Sequence, residues 1–268
     1  MRKKWKYYEN DNKEEAIKLE EKFNVNKLLA MIMANRGITE KNAEIFLNPN
    51  RHDFHDPFNM PDMEDAVNRI VKAIENNEKT IIFGDYDVDG ITSTTVLKSF
   101  LKDRGLDVGN YIPNRLKEGY GLNKDAIEKI AKDGYTLMIT VDCGITGNEE
   151  IEFAKSLGIE TIVTDHHEPA EELPNAIAVV DCKRKDNKYP FRELAGVGVA
   201  FKLTQAISIR LGLDEKEYLK YLDIVSIGTI SDIVPLVDEN RVITKLGLKL
   251  VRCTKNIGLK AILNEIRI

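Results

Sequence analysis

The sequence predicts an α/β fold, a parallel β-sheet covered by helices on both faces, with a helical N-terminal extension. Three observations point there. Short apolar runs alternate with helical stretches between residues 80 and 181. Glycines fall where helix C-caps belong, at Gly134 and Gly158. Successive runs end in aspartate, at Asp85, Asp142, Asp165 and Asp181. Strands that alternate with helices need crossover connections, which make the strands parallel and place helices over both faces.

Residues 1–60 read as a helical extension running into a linker. Positions 27–36 are apolar at helical spacing and Gly37 is the stop. Thr39 is placed as the N-cap of a helix over 40–47. Three prolines and scattered polar residues make 48–61 the linker. After Asp62, Met63, Val67, Ile70 and Ile74 share one helix face. The runs at 80–83, 137–141, 161–163 and 176–180 are strands, with a weaker one near Tyr111. Helices over 92–101, 124–132 and 149–157 separate them, and 196–268 is mainly helical.

A chain of 268 residues is long enough to bury a substantial core. No apolar run reaches the roughly 18 residues that a membrane helix needs. The start, Met1 to Tyr8, is basic and aromatic with no apolar segment after it, so no secretory signal is expected. Cys143, Cys182 and Cys253 form no CxxC pair, which argues against a disulfide framework or a structural zinc site and fits a reducing cytoplasm. The net charge of −5 decides nothing about nucleic acid, because the charges cluster. Basic residues gather at Arg2, Lys3, Lys4 and Lys6, and again at Lys183, Arg184, Lys185 and Lys188.

Ligands of open α/β sheets bind beyond the carboxyl ends of the strands, so a row of strand-end aspartates faces the expected site. One such aspartate would commonly be a helix cap; four together with two histidines outweigh that explanation. In Gly84-Asp85-Tyr86-Asp87-Val88-Asp89-Gly90, alternate residues of an extended segment project to one side, so Asp85, Asp87 and Asp89 are expected to converge. Carboxylates packed this closely repel one another unless cations intervene. An EF-hand is excluded because Val96 stands where its last ligand should be, and a P-loop because no GxxxxGK[ST] occurs. Gly90 and the hydroxyl residues after it suggest a helix start suited to an anion.

Asp165-His166-His167 is the second cluster. Neighbouring histidines do not easily reach one ion from the same side, so one is expected on metal and the other toward substrate or solvent. His52 and His55 have metal-like spacing but lie in the linker, which favours a structural role. Cys143 lacks a base and reads as packing beside the site. Carboxylate and imidazole together suit Mn²⁺ or Mg²⁺. Two ions sharing an aspartate would activate water and clamp a phosphoryl group, the chemistry of a two-metal phosphoesterase.

The ordered segments GDYDVDG, VDCG, TDHH and SDIVP resemble the DHH phosphoesterase superfamily. FGDYDVDGITST, IPNRLKEGYGLN, ITVDCGI, VTDHHEP, LAGVGVAFKL and GTISDIVPL are similar to the RecJ-type single-strand-specific 5′→3′ DNA exonucleases within it. The resemblance implies Asp87, Asp89, Asp142, His166 and Asp232 as ligands of two Mn²⁺ or Mg²⁺ ions, with Asp142 bridging and Asp85 an additional ligand. It implies His167 on the scissile phosphate, and Arg115, Gly196 and Gly198 along the substrate phosphates. Phe83 stands where many superfamily members have histidine, which favours the RecJ type over the pyrophosphatase branch. Asp181-Cys182-Lys183 departs from the Asn-Pro expected there, so Asp181 receives no role.

The implied activity is release of 5′-mononucleotides from single-stranded DNA in repair and recombination. Single-stranded DNA is the implied partner, with helicase or single-strand-binding proteins beside it, in the cytoplasm and away from membranes. Residues 61–268 would be the DHH catalytic domain; the family's C-terminal DHHA1 and OB-type domains are not expected in this chain, which reads as the catalytic half. Two alternatives are a phosphodiesterase of short oligonucleotides or cyclic dinucleotides, and a replication scaffold of the same fold without catalysis. The RLKEGYGLN segment argues against the first and the unbroken ligand set against the second.

Overall fold

The computed structural model describes residues 12–266, so the basic positions Arg2, Lys3, Lys4 and Lys6 lie outside the described residues. The chain divides into two compact units, Met1–Asp53 and Phe54–Ile268. In the first, helices α1 (Lys13–Phe23) and α2 (Lys27–Asn35) bury Leu19, Ala30 and Met33 against each other and are followed by α3 (Ala43–Leu47). Asn26 caps α2, its side chain accepting from the Leu29 N–H at 2.9 Å. The cap expected at Thr39 lies three residues later: Asn42 precedes α3, while the Thr39 carbonyl accepts from Asn42 and Ala43 and closes a separate turn.

The second unit opens with 54–60, where the predicted linker is instead packed. Pro57 and Met60 are buried, and Phe54 and Phe58 lie against the main core. Helix α4 (Met63–Glu75) follows with its predicted apolar face inward. Then come β1 (Thr80–Gly84), α5 (Val88–Lys102), β2 (Val108–Tyr111), α6 (Lys124–Lys132), β3 (Leu137–Val141), α7 (Asn148–Ser156), β4 (Glu160–Asp165) and β5 (Ala178–Asp181). The five strands are parallel in the order β2-β1-β3-β4-β5. The crossover after β1 runs one way and the strands after β3 run the other, so the sheet reverses direction between β1 and β3. Crevices form at such switch points.

Alternation along the strands explains why each run is apolar throughout. Ile82, Leu137, Ile139 and Val141 pack into the core containing residues of α4 and α5, whereas Ile81, Phe83 and Met138 pack with α6 and α7. Phe83 stacks on Tyr111 at 5.3 Å, so the side chain at the superfamily's histidine position points into this second core. The C-terminal part is helical as expected, with α8 (Gly196–Arg210), α9 (Lys216–Leu219), α10 (Leu222–Ser231), α11 (Asp238–Val251) and α12 (Ile257–Glu265).

Helix α8 is buried from Gly196 through Ser208, including Lys202. The Lys202 ammonium donates to the His55 carbonyl at 2.6 Å and to Glu239 at 2.8 Å, and Tyr189 donates its hydroxyl to the other Glu239 oxygen. The His55 N–H also donates to Glu239, at 3.0 Å, and its ring pairs with Asp238 at 2.8 Å. His55 therefore ties the segment after the first unit to α11, the structural role its position suggested. Removing one member of a fully buried ion pair leaves the other charge unsatisfied. Glu239→Ala is expected to lower the unfolding free energy by about 3–5 kcal/mol in urea titration, with Glu239→Gln losing less.

Candidate metal centre

The aspartates collect at the carboxyl ends of β1, β3, β4 and β5, around the switch point. After β1 the chain stays extended only as far as Asp87. Its side chain caps α5, accepting from the Gly90 N–H at 3.0 Å, and Val88 is already helical. Gly90 has no alternative here, since a Cβ would stand 2.4 Å from the Asp85 carbonyl oxygen. This early helix start changes the expected convergence. Asp85 and Asp87 group with Asp142, whereas Asp89, in the first turn of α5, turns inward to His166 and Asp232.

Asp89 is held by the start of α8. The Gly196 N–H donates to one carboxylate oxygen at 2.6 Å and the Val197 N–H to the other at 2.8 Å. The expected phosphate contact at Gly196 thus gives way to a carboxylate contact. A Cβ at Gly196 would lie 2.6 Å from an Asp142 oxygen, so glycine is required for the helix to come this close. Gly198 is buried, and a Cβ there would stand 3.1 Å from the Leu194 side chain.

Asp142 follows β3 with φ +59°, a left-handed conformation that aspartate tolerates better than most residues. Its neighbour Cys143 is buried among Ile81 and Phe83, the packing role expected for it, and burial pushes its thiol well up. Asp165 ends β4, and its carboxylate accepts from the N–H groups of Ile145 (3.0 Å), His166 (2.7 Å) and His167 (3.2 Å) and from His167 Nδ1 (2.7 Å). By binding both backbone N–H groups, Asp165 curls the chain so that the two imidazoles leave together, 4.4 Å between ring centroids. Both bring a nitrogen to Asp142, contrary to the expected divergence of neighbouring histidines. His166 is buried and His167 opens to solvent, its side chain 46% exposed. Asp232 caps the end of α10; Ile233 follows at φ +62° and turns the chain away.

The result is three ligand sets whose donor atoms lie within 4.8 Å of one another: Asp85–Asp87–Asp142, Asp142–His166–His167 and Asp89–His166–Asp232. Asp142 and His166 are each shared by two. Donors about 2.1 Å from one ion stand at most about 4.2 Å apart, so each set needs little contraction to hold Mg²⁺ or a similar cation. His166 Nε2 lies 3.1 Å from Asp142 Oδ1 and 3.7 Å from Asp89, and its Nδ1 lies 3.8 Å from Asp232. Yet both His166 nitrogens, Asp142 Oδ1 and Asp85 Oδ1 are buried without a hydrogen bond. Buried polar atoms are normally paired, so this knot of unpaired donors fits divalent cations.

The electrostatics agree. Burial, then the Asp142 charge, pushes the Asp89 carboxyl up to about 8. Burial, then Asp87 and Asp165, pushes Asp142 up to about 9. Burial also raises Asp85 and Asp232. Asp165 behaves oppositely: burial would raise it, but the His167 hydrogen bond and charge and the two closest N–H donors hold it below the ordinary carboxylate range. Its hydrogen bond in turn lifts His167 to about 9 against burial. Asp181, which received no role, is buried beside this group and raised to about 7 by that burial, its Oδ1 accepting from the Lys183 N–H at 2.6 Å.

Three features escaped the sequence analysis. Asp165 was marked by its place at a strand end and beside the two histidines, but its hydrogen bonds to His167 and to the Ile145 and His166 amides were not foreseen. Tyr120 and Tyr86 form a ring wall leading to His167, at 6.5 Å from each other and 6.1 Å from Tyr120 to His167; Arg115, exposed, stacks on Tyr86 at 5.2 Å. In the second basic cluster, Arg184 is buried and bound to Asp62, Asp186 and the Val179 carbonyl, so it braces β5 and presents no free charge.

A DHH family, N-terminal domain model matches residues 79–229. The chain belongs to the DHH family. It is 47% identical over 246 residues to the single-stranded-DNA-specific exonuclease RecJ of Bacillus subtilis, covering 91% of this chain and 30% of that protein. To RecJ of Escherichia coli it is 38% identical over 212 residues, covering 75% of this chain and 37% of that one. A crystal structure of RecJ from Thermus thermophilus in complex with Mn²⁺ superposes with a TM-score of 0.79 at 29% identity, over 94% of this chain and 35% of that one. A crystal structure of exonuclease RecJ bound to manganese gives 0.71 at 35% identity, over 77% and 52%. The chain therefore spans about a third of the length of these curated relatives.

Asp89, Asp142, Asp181 and His167 all bind protons more tightly in the folded chain than in the unfolded one. The sign is common to all four: below the unfolded values their contribution is complete, and it is lost as pH rises through the folded values. The metal-free protein is therefore expected to lose thermal stability from about pH 4, where the unfolded carboxyls ionise, to about pH 9. Asp142→Asn, which cannot ionise, should raise the metal-free melting temperature and flatten this slope, as read by scanning calorimetry in EDTA.

Proposed function

We propose that this chain is the catalytic domain of a Mn²⁺- or Mg²⁺-dependent exonuclease that hydrolyses single-stranded DNA from the 5′ end to mononucleotides, with Asp85, Asp87, Asp89, Asp142, His166 and Asp232 as metal ligands. The observation that carries this is the adjacency of two ligand sets, Asp85–Asp87–Asp142 and Asp89–His166–Asp232, joined where His166 Nε2 stands 3.1 Å from Asp142, which suits a pair of neighbouring ions. The matched RecJ proteins, named as single-stranded-DNA-specific exonucleases, and the manganese-bound neighbours support the substrate and the ions. When bound, the ions supply a nucleophile from water near neutral pH and neutralise charge on the phosphoryl group.

The chain's own residues do the rest. Asp142 would contribute to both sites, and Asp89 is kept in place by the α8 amides. An ionised Asp165 can only accept, so His167 donates through Nδ1 and turns Nε2 to the opening. The Asp165 hydrogen bond raises the proton affinity of that imidazole, which in its protonated form offers an N–H to the scissile phosphate. Arg115 and the Tyr86–Tyr120 wall flank this opening and suit a nucleotide's phosphate and base. Residues 61–268 make the DHH catalytic domain, with Phe54, Phe58 and Met60 of the preceding segment packed on its core. The setting is cytoplasmic, with helicase or single-strand-binding proteins supplying the strand. Three free thiols accord with a reducing compartment, and no helix among the described residues is long and apolar enough to cross a membrane.

The decisive assay measures mononucleotide release from a 5′-phosphorylated single strand with Mn²⁺. Activity should vanish in EDTA and in Asp142→Ala with the fold retained by circular dichroism, and exceed activity on a dinucleotide. A preference for the dinucleotide would redirect the assignment to short oligonucleotides, and metal-independent or absent release would end it. Asp165→Asn should lower kcat about 10–100-fold and shift the alkaline limb of the pH–rate profile downward, because His167 loses the carboxylate that holds its proton.

A further inference from the structure

Two cations stand at opposite ends of the row of strand termini. Arg115, on Tyr86, lies just beyond β1, and Lys183 lies two residues beyond β5. In the order β2-β1-β3-β4-β5 the metal-ligand aspartate after β3 and the two histidines after β4 fall between them. Three strand intervals of about 4.8 Å separate the ends of β1 and β5 by about 14 Å, a span that one extended nucleic-acid strand can bridge.

Lys183 is set on a clamped backbone. Its N–H donates to Asp181 Oδ1 at 2.6 Å and its carbonyl accepts from Arg192 at 2.6 Å, while Asn187 donates to the preceding carbonyl of Cys182 at 2.5 Å. Its ammonium is half-buried and points back along the DHH turn, 3.9 Å from Glu168, the residue after His167. That pair is long and its carboxylate 79% exposed, so it holds the ammonium weakly. The ammonium is also among the charges felt at Asp232. A strongly hydrated point charge on a flexible stem rooted in this clamped backbone suits a phosphate oxygen arriving from solvent.

We propose that Lys183 is a phosphate anchor for single-stranded nucleic acid, gripping a phosphodiester on the β5 side of the metal centre while Arg115 flanks the β1 side. The strand thus crosses the carboxyl edge of the sheet over β3 and β4. This rests on the nuclease assignment above, and adds a contact at a position where the chain departs from the pattern it otherwise resembles.

The test is equilibrium binding of a fluorescent 5′-phosphorylated single strand, with Mn²⁺, on the Asp142→Asn background that prevents cleavage. Lys183→Gln should weaken binding roughly five- to tenfold at low salt. Between about 50 and 200 mM KCl, the slope of log K against log salt should become shallower by about 0.7, one phosphate contact on a single strand. Lys183→Arg should restore the slope, and Lys132→Gln, at the far end of α6, should match the parent. A Lys183→Gln slope equal to the parent's overturns the anchor, as does an equal change in Lys132→Gln, or absence of any strand binding by the parent. The wild-type cleavage assay is separate: strand binding without metal-dependent release would overturn the nuclease assignment and leave the slope comparison valid.

Discussion

Like-charged carboxylates are buried together at one edge of the sheet, and the surrounding structure is organised around that repulsion. Asp85, Asp89, Asp142, Asp165 and Asp181 are almost wholly removed from water. Such a group persists only where donors or cations offset its charge. The α8 amides face Asp89, the Ile145, His166 and His167 amides face Asp165, and Asp142 Oδ1 is left open. The N–H donors thus satisfy Asp165 in full and hold Asp89 in place, while Asp142 keeps an oxygen that no donor reaches.

The contrast between Asp142 and Asp165 shows how little residue type decides. Both end neighbouring central strands and both are buried. Three N–H groups and an imidazole hold Asp165 ionised, and its work is to aim His167. Asp142 faces other carboxylates, takes up a proton when metal is absent, and can serve two ligand sets. The same side chain is fully paired in one place and left with an unpaired oxygen in the other because of what points at it.

Much of this was legible in the sequence. The α/β class, the parallel sheet and the strand-end aspartates follow from alternation of apolar runs and helices, which local pattern records directly. The proposed metal-ligand set came from motif resemblance, and its six members all fall within the three clusters of donor atoms. What could not be read depends on where helices begin and on contacts between distant segments. Asp89 separates from Asp85 and Asp87 because α5 starts at Val88. Gly196 meets Asp89 across 107 residues, so nothing local betrayed that its N–H was engaged. Likewise 48–61 looks like a linker by composition, yet part of it packs against a helix almost 150 residues later.

Helix α8 links two of these long-range arrangements. Its first turn grips Asp89, and Lys202, six residues on and about 9 Å along the axis, is locked to Glu239 and the His55 carbonyl. A buried helix has no slack with which to absorb a shift at one end. Random mutagenesis scored only by loss of function would therefore mark Lys202, Glu239 and Tyr189 as though they belonged to the reaction, and genetic maps of this fold will exaggerate the size of its active site accordingly.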